Sequence, residues 1–444
     1  MTAPNRYDVT EWPGENPYDD IGAVINSIIT DVKSRQRWKD KDDGGRPGAV
    51  IVIPPGDYHL RTQAVIDISY LRIEGSGHGF TSSSIRYNIP PQEREDLHEL
   101  WPGGSRILVD LPPARGGEQA AAFLVTREGS PRLSSVEFSG FCIDGLHFEP
   151  DGVSENPENS YQNGKTGIYV KDPNDSFRIS QMGLVYLEHA ITIRKADALS
   201  IHDNFIAECG NCIELLDWGQ ASKVTDNLVG AGPRGHSVYA ENHGGLLIAT
   251  NNIFPRGDSS VHLSGVTRSL VSTNRLHSFY PGVLILADDS AENLVEGNHL
   301  LRDHEPWTPF LEVTNGRSDS YGIIHVEGSD NTIVNNHVSI SVDSSASATG
   351  PEIVGVRLAS GQGNYVSATH VVAHDVARSS GESAFEAQVN ALLSSADLPT
   401  LDVITISVDR ASIKNTVLDS GTEKEVAMDR STNAFRPTPR LSTV

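Results

Sequence analysis

The chain has 444 residues and a formal net charge of -23 at pH 7. This acidic excess argues against a nucleic-acid backbone or an anionic membrane as partner, because both would be repelled, whereas a neutral ligand such as a sugar would not. No apolar stretch approaches the ~20 residues needed to cross a bilayer, and the N-terminus lacks the apolar core of a signal peptide. These features predict a cytoplasmic protein, or a secreted one if a leader has been removed.

The N-terminal segment, residues 1–48, is predicted to be a cap. Apolar side chains recur at helical spacing over residues 19–29. Residues 49–58 follow as a β-strand broken by a proline turn. A helix before the first strand suits a repeat protein, whose open end has to be covered.

An asparagine-centred phrase recurs along the chain, each time after a short alternating apolar run. The phrases are HDNF at 202–205, TDNL at 225–228, TNNI at 250–253, TNRL at 273–276, GNHL at 297–300 and NNHV at 335–338. Asn204, Asn227 and Asn252 lie 23 and 25 residues apart, which in a β-rich chain indicates stacked coils. Asparagine at equivalent turns is expected to form a ladder and to tolerate the left-handed backbone of tight corners.

These repeats predict an all-β fold, a right-handed single-stranded parallel β-helix. The apolar runs are too short for helices, and no single coil can bury its apolar face alone. A leucine-rich repeat has a similar period, but its L-x-x-L-x-L phrase is missing. We expect one β-helical domain over residues 49–421, because no linker-like break interrupts the repeats.

The C-terminal part of the sequence departs from this repeat pattern in two places. Residues 379–401 contain a possible capping box and apolar residues at helical spacing, which predicts a short helical insertion. Residues 422–444 are predicted to be an extended or disordered tail.

Three cysteines, Cys142, Cys209 and Cys212, are too few for a disulfide framework. The C-x-x-C pair at positions 209 and 212 lacks a second ligand pair, so we interpret these residues as small core side chains rather than a zinc or redox site. Neither a metal nor an organic cofactor is predicted.

Carboxylates suited to sugar chemistry are densest between positions 203 and 214. Glycoside chemistry uses one protonated carboxyl group and one ionised carboxylate. Asp203 stands beside the repeated asparagine, so it is equally well explained as a ladder residue. Glu214 lies in an alternating strand, where a lone acid is usually a solvated surface group. The residues alone nominate this pair without deciding its role.

Several longer phrases resemble one known family of fructan enzymes. They are YLEHA at 186–190, AECGNC at 207–212, GAGP at 230–233, AENH at 240–243, NIFPRG at 252–257, FYPG at 279–282 and VLDSG at 417–421. Together they resemble the inulin fructotransferases and their relative, difructose anhydride III hydrolase, from about Tyr7 to Gly421. The resemblance implies a right-handed parallel β-helix assembled as a homotrimer, with active sites at subunit boundaries.

The same resemblance implies a catalytic Asp and Glu, at Asp203 and Glu214. The transferases release a cyclic difructose dianhydride from inulin, and the hydrolase opens that dianhydride with water to give inulobiose. We expect Glu214 to be the general acid/base and Asp203 its partner, although the roles could be exchanged. Polar and aromatic residues within the matching phrases are candidate sugar contacts. These are Glu188, Glu241, Arg256 and Tyr280.

Two sequence features favour the hydrolase over the transferase. The N-terminus carries no leader, which suits a small imported dianhydride better than a polymer met outside the cell. The predicted helical insertion suits a disaccharide that can be enclosed, whereas a chain end needs an open cleft.

Two other interpretations remain open at this point. A pectin-degrading enzyme on the same fold would need basic residues facing an anionic polymer, and the net charge suits that poorly. A non-catalytic trimeric carbohydrate-binding fibre would make the two acids incidental, since fold alone does not fix function.

Overall fold

The computed structural model describes residues 5–35, 48–79, 103–127, 129, 132–146, 163–232, 234–254, 257–303, 315–342, 352–376, 401–418 and 425–436. These residues form two compact units, Met1–Val229 and Gly230–Val444. Each unit contains three stacks of short parallel strands, which we call sheet 1, sheet 2 and sheet 3. A strand of each sheet follows in turn along the chain, so each circuit makes one coil. The predicted parallel β-helix is confirmed.

The N-terminal unit holds the first coils. Its sheet 1 comprises Arg6–Asp8, Ala49–Ile53, Leu71–Gly75, Glu137–Ser139, Arg178–Ser180, Ser200–His202 and Lys223–Thr225. Its sheet 2 comprises Gly56–Leu60, Ser105–Val109, Cys142–Asp144, Gly183–Val185 and Phe205–Cys209. Its sheet 3 comprises Ala64–Ile66, Ala121–Val125, Thr166–Val170, His189–Asp197 and Asn211–Gln220, flanked by the short strands Leu133–Ser134 and Asn174–Asp175. The strand Leu228–Ala231 contains the boundary between the units.

The C-terminal unit repeats this arrangement. Its sheet 1 comprises Leu247–Ala249, Leu270–Ser272, Leu294–Glu296, Thr332–Val334, Tyr365–Ser367, Thr416–Leu418 and Ala434–Arg436. Its sheet 2 comprises Asn252–Ile253, Arg275–Ser278, His299–Arg302, His337–Val342 and His370–Asp375. Its sheet 3 comprises His236–Glu241, Ser259–Ser264, Leu284–Ala287, Ile324–Val326, Val354–Leu358, Ile404–Val408 and Val426–Ala427. The short strand His243–Gly244 and a 3₁₀ turn at Asp319–Tyr321 complete the unit.

The core consists of apolar side chains stacked in register from one coil to the next. In sheet 1 of the N-terminal unit the buried row is Ile51, Ile73, Phe138, Ile179, Ile201 and Val224. In sheet 1 of the C-terminal unit it is Ile248, Val271, Val295, Ile333, Val366 and Val417. Because one strand buries only a few such residues, stability depends on stacking between neighbours.

Asparagine ladders form at the corners, as predicted. Asn204 donates from its side chain to Asn227 Oδ1 at 2.9 Å. In the C-terminal unit Asn251, Asn274, Asn298 and Asn336 form a continuous series. In the phrase TNNI at 250–253, the ladder residue is therefore Asn251, which is 2% exposed, and not Asn252, as the spacing of 25 residues from Asn227 assumed.

A second ladder in the C-terminal unit follows a different corner. It consists of Asn293, Asn331, Asn364, Asn415 and Asn433. Its last member lies in the segment predicted as a tail. There Val426–Ala427 and Ala434–Arg436 pair in parallel with Ile404–Val408 and Thr416–Leu418, so the coils extend beyond residue 421.

The predicted N-terminal helix is present at Ile21–Arg35. It covers the first strand of sheet 3, Ala64–Ile66. Asn26 accepts a hydrogen bond from the Val65 amide at 2.8 Å and donates one to the Gln63 carbonyl at 2.9 Å. The helix therefore satisfies backbone groups at an otherwise unpaired sheet edge. The helical insertion predicted at 379–401 falls, apart from residue 401, outside the described residues. Within the described residues, no helix has the length and apolar character needed to span a membrane.

Candidate active site

Glu214 lies in the strand Asn211–Gln220 and points to the outer face of sheet 3. Its neighbours Ile213 and Leu215 are buried in the core, so strand alternation directs Glu214 the other way. Its side chain is nevertheless only 11% exposed. Glu214 is therefore a shielded carboxyl group and not the solvated surface acid that strand position alone suggests.

Two side chains from the preceding coil hold Glu214 in place. Its Oε2 atom lies 2.8 Å from His189 Nδ1 and accepts a hydrogen bond from Thr192 Oγ1, also at 2.8 Å. Thr192 is its direct register partner. This arrangement fixes one carboxylate oxygen and orients the other, which is the organisation expected of a group that exchanges protons with a substrate.

The charge of His189 is coupled to Glu214. Burial alone would lower the pKa of His189, but the hydrogen bond and negative charge of Glu214, with a smaller contribution from Glu188, raise it above its ordinary value. The negative charge of Glu214 therefore favours the protonated form of His189 in the folded protein.

We expect His189→Gln to remove a pH-dependent part of the stability. Because the folded pKa is raised, the stabilisation is fully present below the unfolded histidine pKa of about 6.5 and is lost as the pH rises through the higher folded value. The difference in unfolding free energy between wild type and variant, measured from pH 5.5 to 9, should shrink with increasing pH. Thr192→Val is the matched control, since it removes an uncharged partner and should cost the same throughout. A constant deficit for His189→Gln would contradict the coupling.

Glu188, a predicted sugar contact, mainly anchors the backbone beside this cluster. Its Oε2 accepts a hydrogen bond from the Gly164 amide at 2.7 Å, and its own amide donates to Asn163 Oδ1 at 3.1 Å. Its Oε1 lies 3.8 Å from His189 Nε2. Glu188 therefore belongs to the surroundings of Glu214, with one oxygen committed to the backbone.

Asp203 occupies a different corner of the coil. It follows the sheet 1 strand Ser200–His202, adopts the left-handed conformation with φ 56°, and lies 2.8 Å from His202 Nδ1 through its Oδ2 atom. Its side chain is 56% exposed. The whole sheet 2 strand Phe205–Cys209, roughly 16 Å of extended backbone, separates it from the sheet 3 strand that carries Glu214. One chain therefore does not bring the two predicted catalytic acids together.

The remaining predicted contacts lie in the C-terminal unit. Glu241 Oε1 accepts a hydrogen bond from Tyr239 Oη at 3.0 Å. Tyr280 is only 6% exposed, and burial, followed by the charge of Asp258, raises its pKa to about 12. Its ring is thus mostly a packing element. Arg256 lies outside the described residues.

Glu241 adjoins an aromatic and imidazole cluster that the sequence analysis missed. Tyr239 stacks on His236 with ring centroids 5.2 Å apart, and His262 meets Tyr239 edge-on, also at 5.2 Å. Burial, with the positive charges of His236 and Arg317, lowers the pKa of His262 to about 4, so its ring is neutral near pH 7. Flat rings beside hydrogen-bonding groups suit a sugar. Tyr239 and His262 are register partners and lie 23 residues apart, which is the length of one repeat. Aligning the repeats in the sequence would therefore have placed these two side chains next to each other.

The three cysteines are buried, as predicted. Burial raises the pKa of the Cys209 thiol, which disfavours the reactive thiolate. Within the ranges that the structure describes, no group of three or more histidine, cysteine, aspartate and glutamate side chains is arranged to hold a metal ion.

Fold and site together define a β-helical protein with a shielded, hydrogen-bonded carboxyl group on one outer face. A sequence model described as the beta helix repeat of inulin fructotransferase matches residues 297–439. Another, described as periplasmic copper-binding protein (NosD), matches residues 134–307. The inulin fructotransferase [DFA-I-forming] of Arthrobacter globiformis is 41% identical over 377 residues, which are 83% of this chain and 89% of that protein. The chain belongs to the inulin fructotransferase family.

Solved structures of a second group of relatives are more similar to this chain. The DFA-IIIase of Arthrobacter chlorophenolicus A6 in complex with DFA-III is 63% identical, with a TM-score of 0.90, over 98% of this chain and 99% of that one. The same enzyme in complex with GF2 is 64% identical, with a TM-score of 0.90, over 98% and 100% of the two chains. The predicted family, and its nature as an enzyme of fructan metabolism, are confirmed.

Proposed function

We propose that this protein is a hydrolase that opens difructose anhydride III to inulobiose. The observation that carries the proposal is the 63% identity to a DFA-IIIase crystallised with DFA-III, extending over 98% of the chain. The shielded position of Glu214 supports it, because a carboxyl group held by Thr192 and His189 has the surroundings of an acid–base group.

The chemistry requires two proton transfers and charge stabilisation. A carboxyl group gives a proton to the departing glycosidic oxygen, and a carboxylate accepts a proton from the attacking water. Between these steps the fructosyl ring carries positive charge, which a nearby anion stabilises. We assign proton exchange to Glu214 and propose Asp203 as the second carboxylate.

A fructotransferase that releases a dianhydride from inulin is the second candidate. The 41% identity to a DFA-I-forming inulin fructotransferase favours it, and the same two acids would serve its chemistry. The higher identity to DFA-IIIase makes the hydrolase the better supported function.

Product analysis distinguishes the two candidates. The protein is incubated separately with difructose anhydride III and with inulin, and the products are separated by anion-exchange chromatography. We expect inulobiose from the anhydride and negligible cyclic product from inulin. Accumulation of a dianhydride from inulin, with the anhydride left intact, would reject the hydrolase.

We also propose that the protein assembles as a homotrimer with its active sites at the subunit boundaries. Within one chain Asp203 and Glu214 lie on different sides of the coil, so a shared site requires the Asp203 corner of one subunit to face sheet 3 of the next. Cyclic symmetry would generate this contact identically at every boundary. The 46% exposed Trp218, on the same strand as Glu214, supports a contact at this face, since aromatic residues are enriched at interfaces.

A further inference from the structure

A column of histidines lies on sheet 2 of the C-terminal unit, on strands that do not carry the proposed catalytic acids. His299, His337 and His370 occupy the same register position on three successive strands. Neighbouring ring centroids are 5.1 Å and 5.0 Å apart. Stacked strands therefore present imidazole rings at nearly constant spacing to the surroundings.

Two of these rings have the spacing of a chelating pair. The Nδ1 atoms of His337 and His370 lie 3.1 Å apart. Imidazole nitrogens bind zinc-like ions at about 2.0–2.1 Å, so two nitrogens on one ion, at bond angles of roughly 90–110°, lie roughly 2.8–3.4 Å apart. Without an ion, the same contact needs a proton on one of the two rings, because two lone pairs would repel each other.

A hydroxyl group orients one ring of the pair. His337 Nε2 lies 3.1 Å from Ser339 Oγ, which can accept the Nε2 proton and leave the Nδ1 lone pair directed at His370. A hydrogen bond on the distal nitrogen is the usual support of a metal-binding histidine.

We propose that His337 and His370 form a bidentate site for a divalent first-row transition ion such as Cu²⁺, Ni²⁺ or Zn²⁺. Imidazole is a favoured ligand of these ions, and water would complete the coordination shell. His299 belongs to the same column, with its Nε2 atom 3.4 Å from Ser339 Oγ and its ring inclined by 61° to that of His337, and we do not assign it as a ligand. The NosD match ends at residue 307, before both ligands, and contributes nothing to this assignment.

Copper binding by the untagged protein tests the proposal. Cu²⁺ is the probe because it binds nitrogen sites most strongly among these ions. Calorimetric titration should show one site per chain in the wild type. Substitution His370→Gln or His337→Gln should weaken binding by at least about tenfold, because chelation by a second linked ligand raises affinity through effective concentration. His299→Gln, in the same column, is the matched control and should bind like the wild type.

Electron paramagnetic resonance gives an independent measure of the ligand set. The wild type should show splitting from two imidazole nitrogens, and His370→Gln should reduce it to one or none. Absence of a stoichiometric site in the wild type would overturn the proposal. Undiminished binding in His337→Gln or His370→Gln, or an equal loss in His299→Gln, would do the same. The measurement uses no sugar, so its outcome is independent of the proposed hydrolase activity.

Discussion

Subunits carrying Asp203→Asn and subunits carrying Glu214→Gln are each expected to be nearly inactive, and an equal mixture of the two is expected to recover activity. Each substitution keeps the shape of the side chain and removes a carboxylate. The loss should be about 10²–10⁴-fold in turnover, the usual contribution of a positioned acid–base group.

Recovery follows from the position of the two acids on different sides of the coil. If each site takes Asp203 from one subunit and Glu214 from the next, random mixing leaves both acids intact at about one boundary in four. Co-expressed or co-refolded mixtures should therefore approach a quarter of the wild-type rate. The doubly substituted chain, mixed in the same way with itself, is the control and should stay inactive.

The opposite outcome is equally informative. If both acids served a site within one chain, every site in the mixture would carry a defect, and the mixed protein would be as inactive as its parents. Full activity of Glu214→Gln alone would instead favour a non-catalytic carbohydrate-binding protein.

Replacement of Asn251 by alanine is expected to destabilise the protein far more than the same change at Asn252. Asn251 is buried, and both its amide and its side chain donate to Asn274 Oδ1, at 2.9 Å and 3.0 Å. Removing the side chain breaks the ladder and leaves buried polar groups unsatisfied, at about 1–3 kcal/mol for each group. Asn252 is half-buried and accepts a bond from Arg275 Nη1 at 3.2 Å, so its loss should cost under about 1 kcal/mol.

Denaturant unfolding of the two variants and the wild type, followed by circular dichroism, measures this difference. The two variants have the same amino-acid composition and differ only in which of two adjacent asparagines is replaced. Any effect of the substitution on the unfolded chain is therefore the same in both. Equal midpoints for the two variants would show that the ladder contributes little to stability.

The sequence predicted the coil architecture because a period of about 23 residues is visible wherever coils follow without interruption. It missed the second ladder, whose members are separated by 38, 33 and 51 residues between Asn293 and Asn415. Residues inserted between strands lengthen these coils, so the asparagines keep their corner in space while the period along the chain is lost.

For the candidate site, sequence reasoning nominated two acids but could not describe their surroundings. The density of carboxylates nominated Glu214 and the family resemblance implied its role, whereas His189 and Thr192 reach it from another coil, 25 and 22 residues earlier. Position in an alternating strand gives the direction of a side chain, but not which neighbours cover it. The short spacing of Asp203 and Glu214 in the sequence likewise did not indicate that a full sheet 2 strand separates them.

The contact between Asn26 and the strand Ala64–Ile66 has a consequence for solubility. Only the terminal strand of a parallel stack has a free edge, and an uncovered terminal strand can act as a template for another chain and start fibril-like growth. By occupying the backbone groups of Val65 and Gln63, the helix Ile21–Arg35 blocks end-to-end polymerisation at this edge of sheet 3. The cap is thus as much a safeguard against aggregation as a support for the first coil.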